Sequence, residues 1–392
     1  MSIFNSLGSN YDRHTIARIL KPARSHENSE LVAALRQEYK ATNVQITYKC
    51  REAICLGLKQ LEIPADSLVA INGFTCYAVY EAIISAGLKP YYIDVPEREF
   101  NFSPSSLECA LKENQNIKVV IVQNTFGIPA DVAAIQRICN QYKVQLAEDL
   151  AHAAGLQYKN GEKMGTIGVW AALSFSQDKM IDAVSGGALV DRHEREAATT
   201  SNPYLSLRQR FVARVYPVST VIIRSTIRFG VGRVLLKIMK AVRALPRPMS
   251  GGAGTVHALS PWHAREARLA IENLSATISH RKMIAAVYHK VLDESVQTEF
   301  DDTAGYLRFP ILVNNREKLL SYLQKNHIYL SDIWYDAPIG PKKYQSLTDY
   351  NGQCPNAETL ASTIVNLPTH THVNERQAKI IAEKVNTWLK LA

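Results

Sequence analysis

Apolar positions recur along this chain in two textures that alternate. Short apolar runs at 68–71, 91–94, 118–122 and 144–147 read as strands, as does 169–175, where Trp170, Ala172 and Ser174 alternate with Ala171, Leu173 and Phe175. Between them the spacing turns helical. After the approach at Ile46, Ala53, Leu56, Gly57 and Gln60 line one side of a helix and Ile54, Leu58 and Leu61 another. A second helix spans about 76–86 and ends at Gly87, and a third, 131–142, carries Val132, Ile135, Ile138 and Tyr142 on one face. Ser103-Pro104 marks another helix start, serine as cap and proline in the first turn. Strand–helix–strand units of this length predict an α/β fold whose sheet is parallel with helices on both faces. Such sheets bind ligands at the carboxyl ends of their strands. From about residue 256 the texture changes to long helices, 262–293, 315–325 and 374–391, with a short strand at 307–313. The chain therefore divides into a lead-in (1–40), a large domain (41–255) and a smaller C-terminal α+β domain (256–392).

Composition narrows the class. The 392 residues are 46% hydrophobic and 21% charged, which excludes wholesale disorder. The six cysteines (Cys50, Cys55, Cys76, Cys109, Cys139, Cys354) contain no CxxC pair, which argues against a disulfide framework and a zinc site and for reduced thiols. The first residues lack the apolar core of a signal peptide, and no uncharged apolar run is long enough for a membrane span. The expected location is cytoplasmic.

Charge singles out one segment. The formal net charge is +9, yet between Ala197 and Arg265 there is no acidic residue and eleven basic ones, Arg247 among them, while the remainder holds 34 basic and 36 acidic residues. Within this segment, 211–245 mixes apolar and basic residues in helical fashion and is interrupted by Pro217, Gly230 and Gly232. We treat about 205–250 as an insertion in the large domain. Three readings stay open: a solvated insertion or one packed on a partner subunit, an anionic membrane surface, and nucleic acid. The last is disfavoured because no aromatic residues are interleaved for base stacking.

Two strand ends carry chemistry. One delivers Glu148-Asp149 with His152 three residues on, the other Ser174 with Lys179 five residues on. A lysine amine beside one strand end, a carboxylate at the next and a strand–turn–helix anion site are what a pyridoxal-phosphate enzyme needs. The amine condenses with the cofactor aldehyde, the carboxylate keeps the pyridine nitrogen protonated, and helix N–H groups hold the phosphate.

GIPAD (127–131), EDLAHAAG (148–155), the stretch 158–190 containing SFSQDK, and CPNAETLASTIVNLPTH (354–370) resemble the DegT/DnrJ/EryC1/StrS sugar aminotransferases. The resemblance implies a fold-type-I, aspartate aminotransferase-like transferase with pyridoxal 5'-phosphate as cofactor, a mostly parallel central sheet in the large domain, and homodimers with active sites at the interface. It implies Lys179 as the residue that binds the cofactor covalently and shuttles the proton, Asp149 on the pyridinium nitrogen, His152 near the phenolic oxygen, and Ser174 on the phosphate. Family dehydratases carry histidine at the lysine position, so transamination is the implied reaction. The donor would be an amino acid, glutamate by resemblance, and the acceptor a keto-sugar on a nucleotide, in surface-polysaccharide or amino-sugar synthesis.

The chain departs from the family in three places. Lys49-Cys50-Arg51 stands where the family reads S-G-T, leaving Cys50 and Arg51 as candidates at the phosphate. Cys76 and Tyr77 follow Phe74-Thr75, so either is a candidate to cover the cofactor ring. Leu259-Ser260-Pro261-Trp262 replaces the N-Y-R segment that reaches the neighbouring subunit. The alternatives carried forward are a lipid-linked or membrane-associated carbonyl acceptor, with the enzyme peripheral at the inner membrane face, and a catalytically idle homologue acting as a binding module.

Overall fold

A computed structural model describes residues 2–192, 202–246, 249, 251–330 and 335–391. Arg247 lies outside them. Seven strands form the central sheet in the order 43–47, 187–191, 170–174, 145–149, 117–122, 68–72, 89–93. Strand 187–191 runs antiparallel to both of its neighbours, and every other pairing is parallel. The mostly parallel sheet is thus as expected. Strand Asn43–Thr47 at the edge was not foreseen; NVQIT alternates polar and apolar residues over only five positions, and the sequence read here only as the approach to a helix.

Side chains alternate across the sheet with period two, and both faces are apolar. Val120, Val122, Leu146, Ala171, Leu173, Ala188 and Val190 enter the core under helices such as Glu27–Tyr39 and Val132–Tyr142. Val119, Ile121, Ala147, Trp170, Ala172 and Leu189 enter the opposite core, beneath helices Cys50–Lys59 and Tyr77–Ser85. With both faces dry, polar groups concentrate at strand ends, where the site lies.

The expected long helix 262–293 is two helices, Pro261–Glu272 and Leu274–Val291, joined at Asn273. Ala264 and Ala267 of the first belong to the sheet's core. The second begins a separate core at Ile284, built with Tyr288, the antiparallel pair Phe309–Leu312 and Ile364–Leu367, and helix Glu375–Leu389. We propose a domain boundary inside 274–291 in place of 255/256. The lead-in is likewise shared: Ile3 enters the second core, while Leu31, Leu35 and Tyr39 enter the first.

The basic segment forms two helices, Leu207–Thr226 and Val231–Ala241. Of the three expected breaks only Gly230 acts as one, in the left-handed region at φ 81°. Helix 207–226 continues through Pro217. Gly232 sits within the next helix because a Cβ there would overlap the Ile223 carbonyl.

Candidate active site

Glu148 and Asp149 end one strand and face opposite sides of the sheet. Their partners divide them by task. Glu148 is fully buried and accepts four hydrogen bonds, from Tyr158 Oη (2.9 Å) and the N–H groups of Gly165 (2.6 Å), Ile167 (2.8 Å) and Gly168 (2.7 Å). It is the anchor of loop 165–168. Asp149 is also buried, and among the described residues its Oδ1 accepts the Ala151 N–H, at 2.9 Å. Burial pushes its carboxyl up to about 6; the Ala151 hydrogen bond and the Lys179 charge pull the other way.

Lys179 is the hub of the expected residues. Its charge acts on Asp149 and His152, and on the thiols of Cys50 and Cys76, which burial drives upward and the ammonium opposes. His152 Nδ1 accepts the Phe126 N–H at 3.1 Å, which puts the ring proton on Nε2. Burial, then the Lys179 charge, holds the ring well below the ordinary histidine range, so it is neutral. Phe126 lies parallel to it, centroids 5.7 Å apart.

A phosphate has a suitable seat. Helix Cys50–Lys59 starts without a side-chain cap. Gly187, paired in register with Ser174, backs against its first turn, so that a Cβ there would lie 2.6 Å from the Cys50 nitrogen. Ser174, whose Oγ accepts the Ser176 N–H at 3.4 Å, is therefore beside an uncapped helix N-terminus. Lys49 adds a positive charge at this end of the helix; burial, then Arg51, pushes its ammonium down to about 8, with Glu52 and Glu81 opposing. Arg51 itself, a phosphate candidate from the sequence, is placed otherwise: it pairs with Glu81 and reaches the carbonyls of Met249 and Gly251, both at 3.3 Å. Of the two ring-face candidates, Tyr77 stacks on Tyr344 at 5.0 Å, while Cys76 caps helix 77–85 within the influence of Lys179 and Asp149.

Several site residues escaped the sequence reading. Tyr335, buried against Phe74 (4.7 Å) and edge-on to His152 (5.9 Å), has its hydroxyl driven well upward by burial, then by Cys76 and Asp149. It arrives from the small domain on a segment without a motif. The lysine loop is strapped by the N-terminus. Ser9 donates to Asp178 (3.0 Å), and Asn10 (2.8 Å) and Tyr11 (2.5 Å) donate to Asp182, which also accepts the Asp178 N–H (2.8 Å). The acidic pair around Lys179 is visible in the sequence, but its partners are more than 160 residues away.

The donor set fits pyridoxal phosphate: an amine for the aldehyde, a buried carboxylate for the ring nitrogen, and an uncapped helix start for the phosphate. Comparison with known proteins agrees. The profile of the DegT/DnrJ/EryC1/StrS aminotransferase family matches residues 23–386. The chain belongs to this family. It is similar to a UDP-2-acetamido-2-deoxy-3-oxo-D-glucuronate aminotransferase of Pseudomonas aeruginosa (24% identity over 81% of this chain and 78% of that one). It is also similar to a pleiotropic regulatory protein of Geobacillus stearothermophilus (23%, 85% and 82%). Among solved structures, the pyridoxal-phosphate form of a putative sugar aminotransferase from Streptococcus pneumoniae superposes with a TM-score of 0.74 at 16% identity, covering 100% and 99% of the two chains. The chain is thus a fold-type-I aminotransferase that uses pyridoxal phosphate. The cofactor, when bound, supplies an electron sink for charge developing on the substrate carbon.

Two outcomes follow from these partners. Glu148→Ala removes the acceptor of four buried donors and lowers stability by about 3 kcal/mol or more in urea denaturation. In cofactor-free protein, the raised Asp149 carboxyl opposes folding above its folded-state value of about 6, where it must ionise while buried, and that cost fades as pH falls toward the unfolded value of about 4. Melting curves of wild type against Asp149→Asn therefore converge as pH is lowered through this window, with the variant the more stable at neutral pH by about 3 kcal/mol.

Proposed function

We propose that this enzyme moves an amino group from glutamate to a keto-sugar carried on a nucleotide, in two half-reactions, as a homodimer in the cytoplasm. The observation that carries the reading is the gathering of Asp149, His152 and the uncapped helix start around Lys179. In this scheme Lys179 would hold the cofactor through its amine and, once freed, would move the proton at the substrate carbon. Asp149 holds the proton on the ring nitrogen, neutral His152 offers its Nε2–H toward the cofactor's oxygen, and Ser174 with the N–H groups of Cys50 and Arg51 binds the phosphate.

A nucleotide-linked acceptor is favoured over a lipid-linked carbonyl by the names of several relatives. The Pseudomonas aeruginosa enzyme is named for a UDP-linked 3-oxo sugar acid, and an Escherichia coli relative, 21% identical over 82% of this chain, for a dTDP-linked amino sugar. Glutamate as donor rests on the family resemblance. Synthesis of a surface polysaccharide or amino sugar is the corresponding setting. Retention of both Lys179 and Asp149 argues against an idle binding module.

The test is a half-reaction screen. Wild-type protein loaded with cofactor is converted to the amine form by glutamate, and addition of UDP- or dTDP-linked keto-sugars restores the absorbance of the aldehyde form. Lys179→Ala abolishes the lysine-bound absorbance and slows transfer by roughly 10³-fold or more. Turnover of lipid-linked carbonyls but of no nucleotide sugar contradicts the acceptor assignment.

A further inference from the structure

Helices 207–226 and 231–241 form an antiparallel hairpin: Arg208 near the start of one donates to the Val242 carbonyl just past the end of the other, at 3.1 Å, and Gly232 meets Ile223 at the opposite end. One side of the hairpin is fixed to the lead-in. Tyr216 packs edge-on to Tyr11 at 6.0 Å, Arg224 donates to the Tyr11 carbonyl at 2.5 Å, and Arg214 reaches the carbonyls of Ile19, Leu20 and Lys21.

Among the described residues the other side is bare. Val231, Val234, Ile238 and Val242 are spaced three or four apart, so they form one stripe along the second helix, and each is between 52% and 59% exposed. Phe229, at the turn leading into this helix, is 79% exposed. Scattered exposed aliphatics are ordinary, but a continuous stripe marks an interaction site. At 100° per residue Arg233, Lys237 and Lys240 fall together on the face adjoining the stripe, and all three are exposed. No acidic residue in 197–265 balances them.

We propose that this hairpin docks the enzyme on an anionic phospholipid surface, the apolar stripe entering the boundary between headgroups and acyl chains and the basic face meeting the lipid phosphates. Charge chooses this occupant. A second copy placed hairpin against hairpin across a two-fold axis would oppose two unbalanced basic faces, which disfavours pairing through this stripe. An aliphatic stripe offers nucleic-acid bases no stacking platform. No helix among the described residues is long and apolar enough to cross a membrane, so the hairpin lies on the surface. The inference holds whichever ketone the enzyme accepts.

Liposome flotation with the full-length, cofactor-loaded protein tests it. The protein floats with vesicles of phosphatidylcholine and phosphatidylglycerol, and not with phosphatidylcholine alone. Raising salt from about 0.05 M to about 0.5 M releases it as the basic face is screened. Lys237→Glu with Lys240→Glu weakens partitioning by at least roughly fivefold per lysine. Val234→Glu with Ile238→Glu weakens it by roughly tenfold or more. Both double variants keep wild-type transaminase activity and lysine-bound absorbance, which separates loss of docking from loss of fold. The proposal is overturned if wild type fails to float with the anionic vesicles, or if both double variants float as well as it does. It is equally overturned if light scattering shows that Ile238→Glu breaks a larger assembly into smaller ones, which would give the stripe to a second copy, or if duplex DNA displaces the vesicles at equal phosphate concentration.

Discussion

A carboxylate buried at a strand end beside a lysine ammonium is the constraint from which the rest of this site follows. Asp149 is out of water with one backbone donor, and burial alone would neutralise it. The Lys179 charge and, in the holoenzyme, a protonated ring nitrogen are what hold it ionised. That arrangement demands a dry surround, which the sheet supplies by burying both of its faces, and it demands that the two strand ends stay in register. Glu148 meets the second demand: four donors from Tyr158 and loop 165–168 fix the chain that leads into strand 170–174 and on to the lysine.

The lysine loop is held from outside as well as from below. Ser9, Asn10 and Tyr11 bind the two aspartates that flank Lys179, and Tyr11 is in turn gripped by Tyr216 and Arg224 of the basic hairpin. Buried Arg308 of the small domain donates to the Asn5 carbonyl at 2.6 Å and faces Asp178 at 4.0 Å. Large domain, small domain, lead-in and insertion therefore meet around one loop.

What the sequence disclosed and what it withheld divide on physical lines. Helix 131–142 was legible because its apolar spacing and its Asp131 cap are local, and the structure starts it one residue later, at Val132. Strand 145–149, Glu148-Asp149 and Lys179 were legible because a buried parallel strand is nearly all apolar and charged residues stand out at its end. The edge strand 43–47 was not, because its polar–apolar alternation runs for only five residues, directly before a helix whose apolar spacing dominates the reading. Pro217 and Gly232 read as breaks, but tertiary contact decides there: the lead-in packs against one helix, and close approach to Ile223 requires the glycine in the other. Tyr335, Ser9 and Asn10 were invisible because their only signal is proximity in the folded chain. Arg51 shows the converse limit: position at a helix start made it a phosphate candidate, and only the structure reveals Glu81 as its partner.

The protonation state of the bound cofactor's ring nitrogen reports most directly on whether Asp149 does what its burial suggests. Nitrogen-15 magnetic resonance of the enzyme loaded with ring-labelled pyridoxal phosphate reads it without relying on turnover. A proton that remains on the nitrogen at neutral pH in wild type, and is lost in Asp149→Ala, is the predicted result. A neutral ring nitrogen in the wild-type enzyme, or one that ignores the substitution, contradicts the central role given to this carboxylate.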